Sequence, residues 1–143
     1  MERRTFVYRL PVLPVALSTG STLALAACAG VPYLQPVPNR DGVRIRTAEL
    51  GPDADAFVQG PGMERPIYVR RAEDGGFTAV LASCTHRGCQ PEPLADRLTC
   101  PCHGSEFTFD GTVLSGPAES PLIRYSVEET DGQLNIRPSE VSR

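Results

Sequence analysis

Tryptophan and lysine are absent, so all 14 basic residues are arginine, and 17 acidic residues outnumber them for a net charge of −3. Such a chain lacks the electrostatic footprint needed to hold nucleic-acid phosphates, which excludes DNA and RNA as partners. No segment repeats apolar residues at helical spacing, which excludes a helical bundle. No apolar run is long and unbroken either. The uncharged stretch from Leu10 to Asn39 is interrupted by Pro11, Pro14 and the polar Ser18-Thr19-Gly20-Ser21-Thr22, a poor match to a bilayer span. Outside the two cysteine–histidine loops there is no pocket signature, nucleophile or general base, so the chain by itself is not a complete enzyme. Its 143 residues, less a targeting segment, leave room for one domain with a modest core.

Present instead are 14 prolines and 13 glycines, a composition suited to a loop-rich β domain. Short strands are expected over Val43 to Leu50, Pro66 to Arg71, Phe77 to Ser83, Arg97 to Cys100, Glu106 to Phe109, Leu122 to Glu128 and Gln133 to Arg137. Asp74-Gly75-Gly76, Asp110-Gly111 and Asp131-Gly132 supply the positive-φ residues of tight turns between them. Ile67, Val69, Ile123, Tyr125, Val127, Leu134 and Ile136 alternate with polar neighbours and are the core candidates. The fold class is all-β, an antiparallel sandwich or small barrel.

The N-terminus reads as an address. Glu2-Arg3-Arg4-Thr5-Phe6-Val7 ahead of an uncharged run resembles a twin-arginine export signal, a route that carries folded, cofactor-loaded proteins. Leu25-Ala26-Ala27-Cys28 resembles a bacterial lipobox, which would make Cys28 the lipid attachment site. A free thiol in an uncleaved anchor and an ordinary cleavage site are the competing readings. Residues 1–27 are then the export segment, and residues 28–40, with Pro32, Pro36 and Pro38, an extended tether. Residues 41–143 form the folded domain. The expected location is the periplasmic side of a bacterial membrane.

The chemistry is concentrated in two loops, Cys84-Thr85-His86-Arg87-Gly88-Cys89 and Cys100-Pro101-Cys102-His103-Gly104-Ser105, which hold four of the five cysteines and both histidines. Each loop offers one thiolate and one imidazole, so two cysteines can bind one iron and two histidines another. The same donors would suit tetrahedral zinc, but that reading leaves Cys89 and Cys102 without a role. The pattern C-T-H-x-G-C followed by C-P-C-H-G-S matches the Rieske family at every fixed position, and the resemblance continues through Asp110-Gly111 and Ser115-Gly116-Pro117-Ala118. It implies a Rieske-like β fold whose two loops form a cluster-binding subdomain. One 2Fe-2S cluster would be ligated by Cys84, His86, Cys100 and His103, and a disulfide would join Cys89 to Cys102.

The resemblance also assigns tuning positions. Ser105 would donate its hydroxyl to a bridging sulfide, and Gly116-Pro117 would form the loop that covers the cluster. High-potential members carry a tyrosine two residues after that serine, where this chain has Phe107, so a lower potential is expected. Arg87 stands where subunits that dock on a quinol pocket generally carry leucine. The function expected first is a membrane-tethered one-electron carrier between donor and acceptor proteins. The alternatives are the Rieske subunit of a quinol–cytochrome c reductase, with quinol and a c-type cytochrome as partners, and the small subunit of another periplasmic oxidoreductase such as arsenite oxidase.

Overall fold

The computed structural model describes residues 30–139, so the expected export segment and Cys28 lie outside the described residues. Twelve strands follow one another: β1 (Tyr33–Leu34), β2 (Val37–Asn39), β3 (Gly42–Arg46), β4 (Asp55–Val58), β5 (Ile67–Arg71), β6 (Phe77–Leu81), β7 (Glu92–Leu94), β8 (Arg97–Thr99), β9 (Glu106–Phe107), β10 (Val113–Ser115), β11 (Arg124–Thr130) and β12 (Gln133–Pro138). Eight form one sheet in the order β1-β4-β5-β6-β11-β12-β3-β2, and the other four form a second in the order β10-β9-β8-β7. The all-β class holds.

The large sheet is curled by a constraint of chain length. β1 and β2 occupy its opposite edges, yet only Gln35 and Pro36 separate them, so the two edges must come close together. Residues 33–39 therefore close a barrel-like sheet, which corrects the expectation of a tether running to residue 40. Proline did not prevent this. The Pro32 carbonyl still accepts the Phe57 N–H at 2.9 Å, and Pro38 sits on the edge strand β2, where a missing N–H costs little.

Alternation along the central strands sorts side chains into two cores. Ile67 and Val69 of β5 point into the curl with Ile45, Val58, Ala79, Leu134 and Ile136. Tyr68, between them, points the other way and joins Phe57, Val80 and Ala82 against the four-stranded sheet. Both faces of β5 are thus buried, as a strand between two layers requires. Burial of each such side chain contributes on the order of 2 kcal/mol. Tyr68 carries its polar end inward by donating a 2.8 Å hydrogen bond to the buried carboxylate of Asp55. That desolvated setting raises the phenol's pKa, and burial is the main cause.

Two expectations fail locally. Ile123 is 55% exposed, because the chain before β11 hands only its backbone to the sheet, through the Ile123 carbonyl and the Leu81 N–H at 2.8 Å. The expected strand to Leu50 stops at Arg46 and becomes a single 3₁₀ turn over Thr47–Glu49. The Asp131-Gly132 turn does form as expected. Both residues have positive φ, 51° and 71°, and they join the paired Thr130 and Gln133.

Candidate metal centre

The two sequence loops have the same backbone design. In the first, the Cys84 N–H donates to the Cys89 carbonyl (2.8 Å) and the Gly88 N–H to the Cys84 carbonyl (2.7 Å). In the second, the Cys100 N–H donates to the Ser105 carbonyl (2.8 Å) and the Gly104 N–H to the Cys100 carbonyl (3.0 Å). Each loop turns back through a left-handed glycine, Gly88 at φ 75° and Gly104 at φ 73°, a conformation glycine adopts without steric cost. β6 leads into the first loop and β8 into the second, so each leading cysteine sits just beyond a strand end.

This design sets the expected ligands in two pairs, Cys84 with Cys100 and His86 with His103. Cys84 and Cys100 are buried in the apolar layer that also holds Phe57, Leu98 and Phe107. Burial pushes the Cys100 thiol above its ordinary pKa, and the adjoining Cys84 thiol adds to that rise against the N–H groups of Cys102 and His103. Metal binding would therefore have to displace a proton from the Cys100 sulfur. The rings of His86 and His103 meet edge to face with centroids 4.7 Å apart. His103 is exposed and His86 half-buried. Nδ1 of His86 is buried without a hydrogen-bond partner among the described residues. A buried imidazole nitrogen left unsatisfied fits a site whose missing partner is a metal. Cys89 and Cys102 form a disulfide that ties the two loops together, which leaves Cys84 and Cys100 as the free thiols among the described residues.

A model of the Rieske 2Fe-2S domain matches residues 43–126. The chain belongs to the Rieske family. Like other Rieske domains it binds one 2Fe-2S cluster per chain and transfers electrons. It is 47% identical over 137 residues to the cytochrome b6-f complex iron-sulfur subunit of Chlorobaculum tepidum, covering 94% of this chain and 75% of that one. A second such subunit, from Synechocystis, is 33% identical over 83% of this chain and 79% of its own. Among solved structures, the plasma membrane Rieske protein of Synechocystis superposes with a TM-score of 0.59 at 31% identity, over 66% of this chain and 98% of that one.

The surroundings of this Rieske centre include contacts the sequence did not reveal. Ser105 is fully buried, and its Oγ accepts the Ala118 N–H at 3.1 Å. Phe107 is fully buried beside the cysteine layer. Gly116, at φ 93°, lies so close to the second loop that an added Cβ would sit 2.5 Å from Ser105 Cα. Pro117 is exposed at the rim. Thr85 Oγ1 donates to the Ser120 carbonyl at 2.6 Å, and Ser115 Oγ donates to Glu106 Oε2 at 2.9 Å. Neither pair could be found by spacing, because each joins segments that only folding brings together. A groove of about 860 Å³ opens elsewhere, among Arg70, Phe109 and Asp110, and includes none of the expected ligands.

Proposed function

We propose that the chain is the iron–sulfur subunit of a quinol–cytochrome oxidoreductase, with Cys84, His86, Cys100 and His103 as the cluster ligands. The observation that carries this reading is the 47% identity to a cytochrome b6-f iron-sulfur subunit over 94% of the chain. A relative described as a menaquinol:cytochrome c reductase iron-sulfur subunit, 28% identical over 86% of the chain, supports the same reaction class. On the support of these relatives we place the subunit ahead of the independent carrier, which the sequence alone put first.

In this reading buried Cys84 and Cys100 would hold one iron, and His86 and exposed His103 would hold the other. The cluster supplies one-electron storage, with family potentials of about −150 to +300 mV. The protein's own contribution is threefold. Burial shields the sulfurs, the disulfide fixes the two loops relative to each other, and exposed His103 presents the redox centre to a partner. Twin-arginine export and lipidation at Cys28 would set the domain on the periplasmic side of the membrane. Because residues 33–39 are part of the sheet, only a short linker upstream of Val31 would remain for reach.

One feature favours the independent carrier. Arg87 is exposed beside His86, and a guanidinium at the contact point is poorly suited to an apolar quinol pocket. Purification from native membranes separates the two readings. Co-purification with b-type and c-type haem and quinol-dependent cytochrome reduction supports the subunit, whereas isolation of a haem-free single chain supports the carrier. Electron paramagnetic resonance of the reduced protein tests the ligands, since alanine at any of the four positions should abolish a Rieske signal. Retention of that signal in any one variant would remove that residue from the set. Mass spectrometry of the N-terminus, with Cys28→Ser as control, tests lipidation.

A further inference from the structure

Three contacts hold the segment Ser115–Ser120 across the two cluster loops. Thr85 binds the Ser120 carbonyl, Ser105 binds the Ala118 N–H, and at the leading end Ser115 Oγ donates to Glu106 Oε2. The third contact has its own support. Arg97 Nη1 donates to the same Glu106 oxygen at 3.1 Å, while Arg97 Nε is held by Asp96 at 2.8 Å. A register shift in β10 between Val113 and Ser115 places Ser115 opposite Glu106 and leaves Leu114 50% exposed. A bulge that re-aims one side chain next to a functional loop is a built feature of a sheet.

We propose that Glu106 is a positioning residue that latches this covering segment shut through Ser115, with Arg97 fixing the carboxylate. What the segment covers rests on the cluster assignment above, but the latch itself does not. Gly116 follows Ser115 directly, and even one added Cβ there would sit 2.5 Å from Ser105 Cα and 2.9 Å from the Gly104 carbonyl oxygen, so the closed position has little slack. Without the Glu106 side-chain contact, the segment is held at Val113, which stays paired with Phe107 and packed on the core, and at Ala118, and the span between them, Leu114 to Pro117, is the part that can lift. A hydroxyl-to-carboxylate bond at a half-exposed site has the strength to change the open population about five- to tenfold.

The test compares the holoprotein with Glu106→Ala, Glu106→Gln, Ser115→Ala and the Glu106→Ala/Ser115→Ala double variant. Three quantities are read: amide hydrogen exchange over residues 113–118, the rate of cluster bleaching by an iron chelator, and the redox potential. Glu106→Ala and Ser115→Ala should each speed exchange and bleaching about five- to tenfold, the double variant should add nothing further, and the potential should shift alike in all three. Glu106→Gln keeps an acceptor oxygen and should stay within about twofold of the parent. Unchanged exchange in the single variants, or additive effects in the double, overturns the latch. If Glu106→Ala does not fold, Ser115→Ala decides alone, since it removes the same bond and leaves the Arg97 pair intact. A parent protein with no Rieske signal would sink the cluster reading, while the exchange data would still judge the latch.

Discussion

Ser105 has one proton to give, and the fold leaves it free. Its oxygen already accepts the Ala118 N–H at 3.1 Å, and among the described residues the hydroxyl donates to nothing. A bridging sulfide is the acceptor the family resemblance implies, and a bond to it would favour the reduced cluster. Ser105→Ala should therefore lower the redox potential, as measured by titration of the reduced signal. Phe107 makes the complementary prediction. It is fully buried in the cysteine layer, so a hydroxyl placed there must find a sulfur acceptor or cost about 1–3 kcal/mol. Phe107→Tyr should raise the potential in a folded variant, and an unchanged or lower value would remove this position from the tuning set.

Loops and turns carry the next predictions. The Cys89–Cys102 disulfide spans 13 residues, and a link closing a loop of that size stabilises by about 3 kcal/mol through the unfolded chain. Replacing both cysteines with serine should cost about that much in urea unfolding of the cluster-free protein. A loss below about 1 kcal/mol would show that the two loops hold their arrangement without the link.

The turn at Asp110 predicts a pH effect. Thr108 donates to its carboxylate, as do the Thr112 N–H at 3.2 Å and Oγ1 at 3.0 Å, and Arg124 lies 3.1 Å away. These contacts hold the Asp110 pKa below its ordinary value, the Thr108 bond contributing most. A carboxylate depressed in the fold gives stability that is present above the unfolded value near 3.9 and is lost as pH falls through the folded value. Asp110→Asn should therefore flatten the acid side of the stability profile, measured as unfolding midpoints between about pH 2 and 6.

For the molecule as a whole, the closure of the large sheet decides where the domain starts. Val31 packs against the core that holds Cys84 and Cys100, Tyr33 stacks on Phe57 at 5.0 Å, and Gln90, next to Cys89, donates to Tyr33 Oη at 2.6 Å. The leading strand thus braces both the barrel and the first cluster loop. A chain starting at Asp41 should be less stable than one starting at Gly30 by about 3 kcal/mol or more, the burial and stacking it forfeits. Equal thermal midpoints would return residues 30–40 to the role of a free tether.

The all-β class, the Asp131-Gly132 hairpin and the two cysteine–histidine loops were readable in the chain, because period-two alternation, positive-φ turn residues and metal-ligand spacing are local properties. Ile67, Val69, Leu134 and Ile136 were found as core by that alternation, while Tyr68 was not, since its hydroxyl let it stand as the polar neighbour between Ile67 and Val69 although that face is buried too. β4 was missed because its run of small and apolar residues is short and opens with Asp55, whose burial makes sense only once the Tyr68 hydroxyl lies against it. Prolines 32, 36 and 38 spoke for a tether, and the hydrogen bonds that overrule them come from strands distant in sequence. The chemistry of the centre was thus written in local spacing, whereas the latch at Glu106, the brace at Tyr33 and the closure of the sheet depend on pairings between remote segments. Only the folded chain brings those segments within reach of one another.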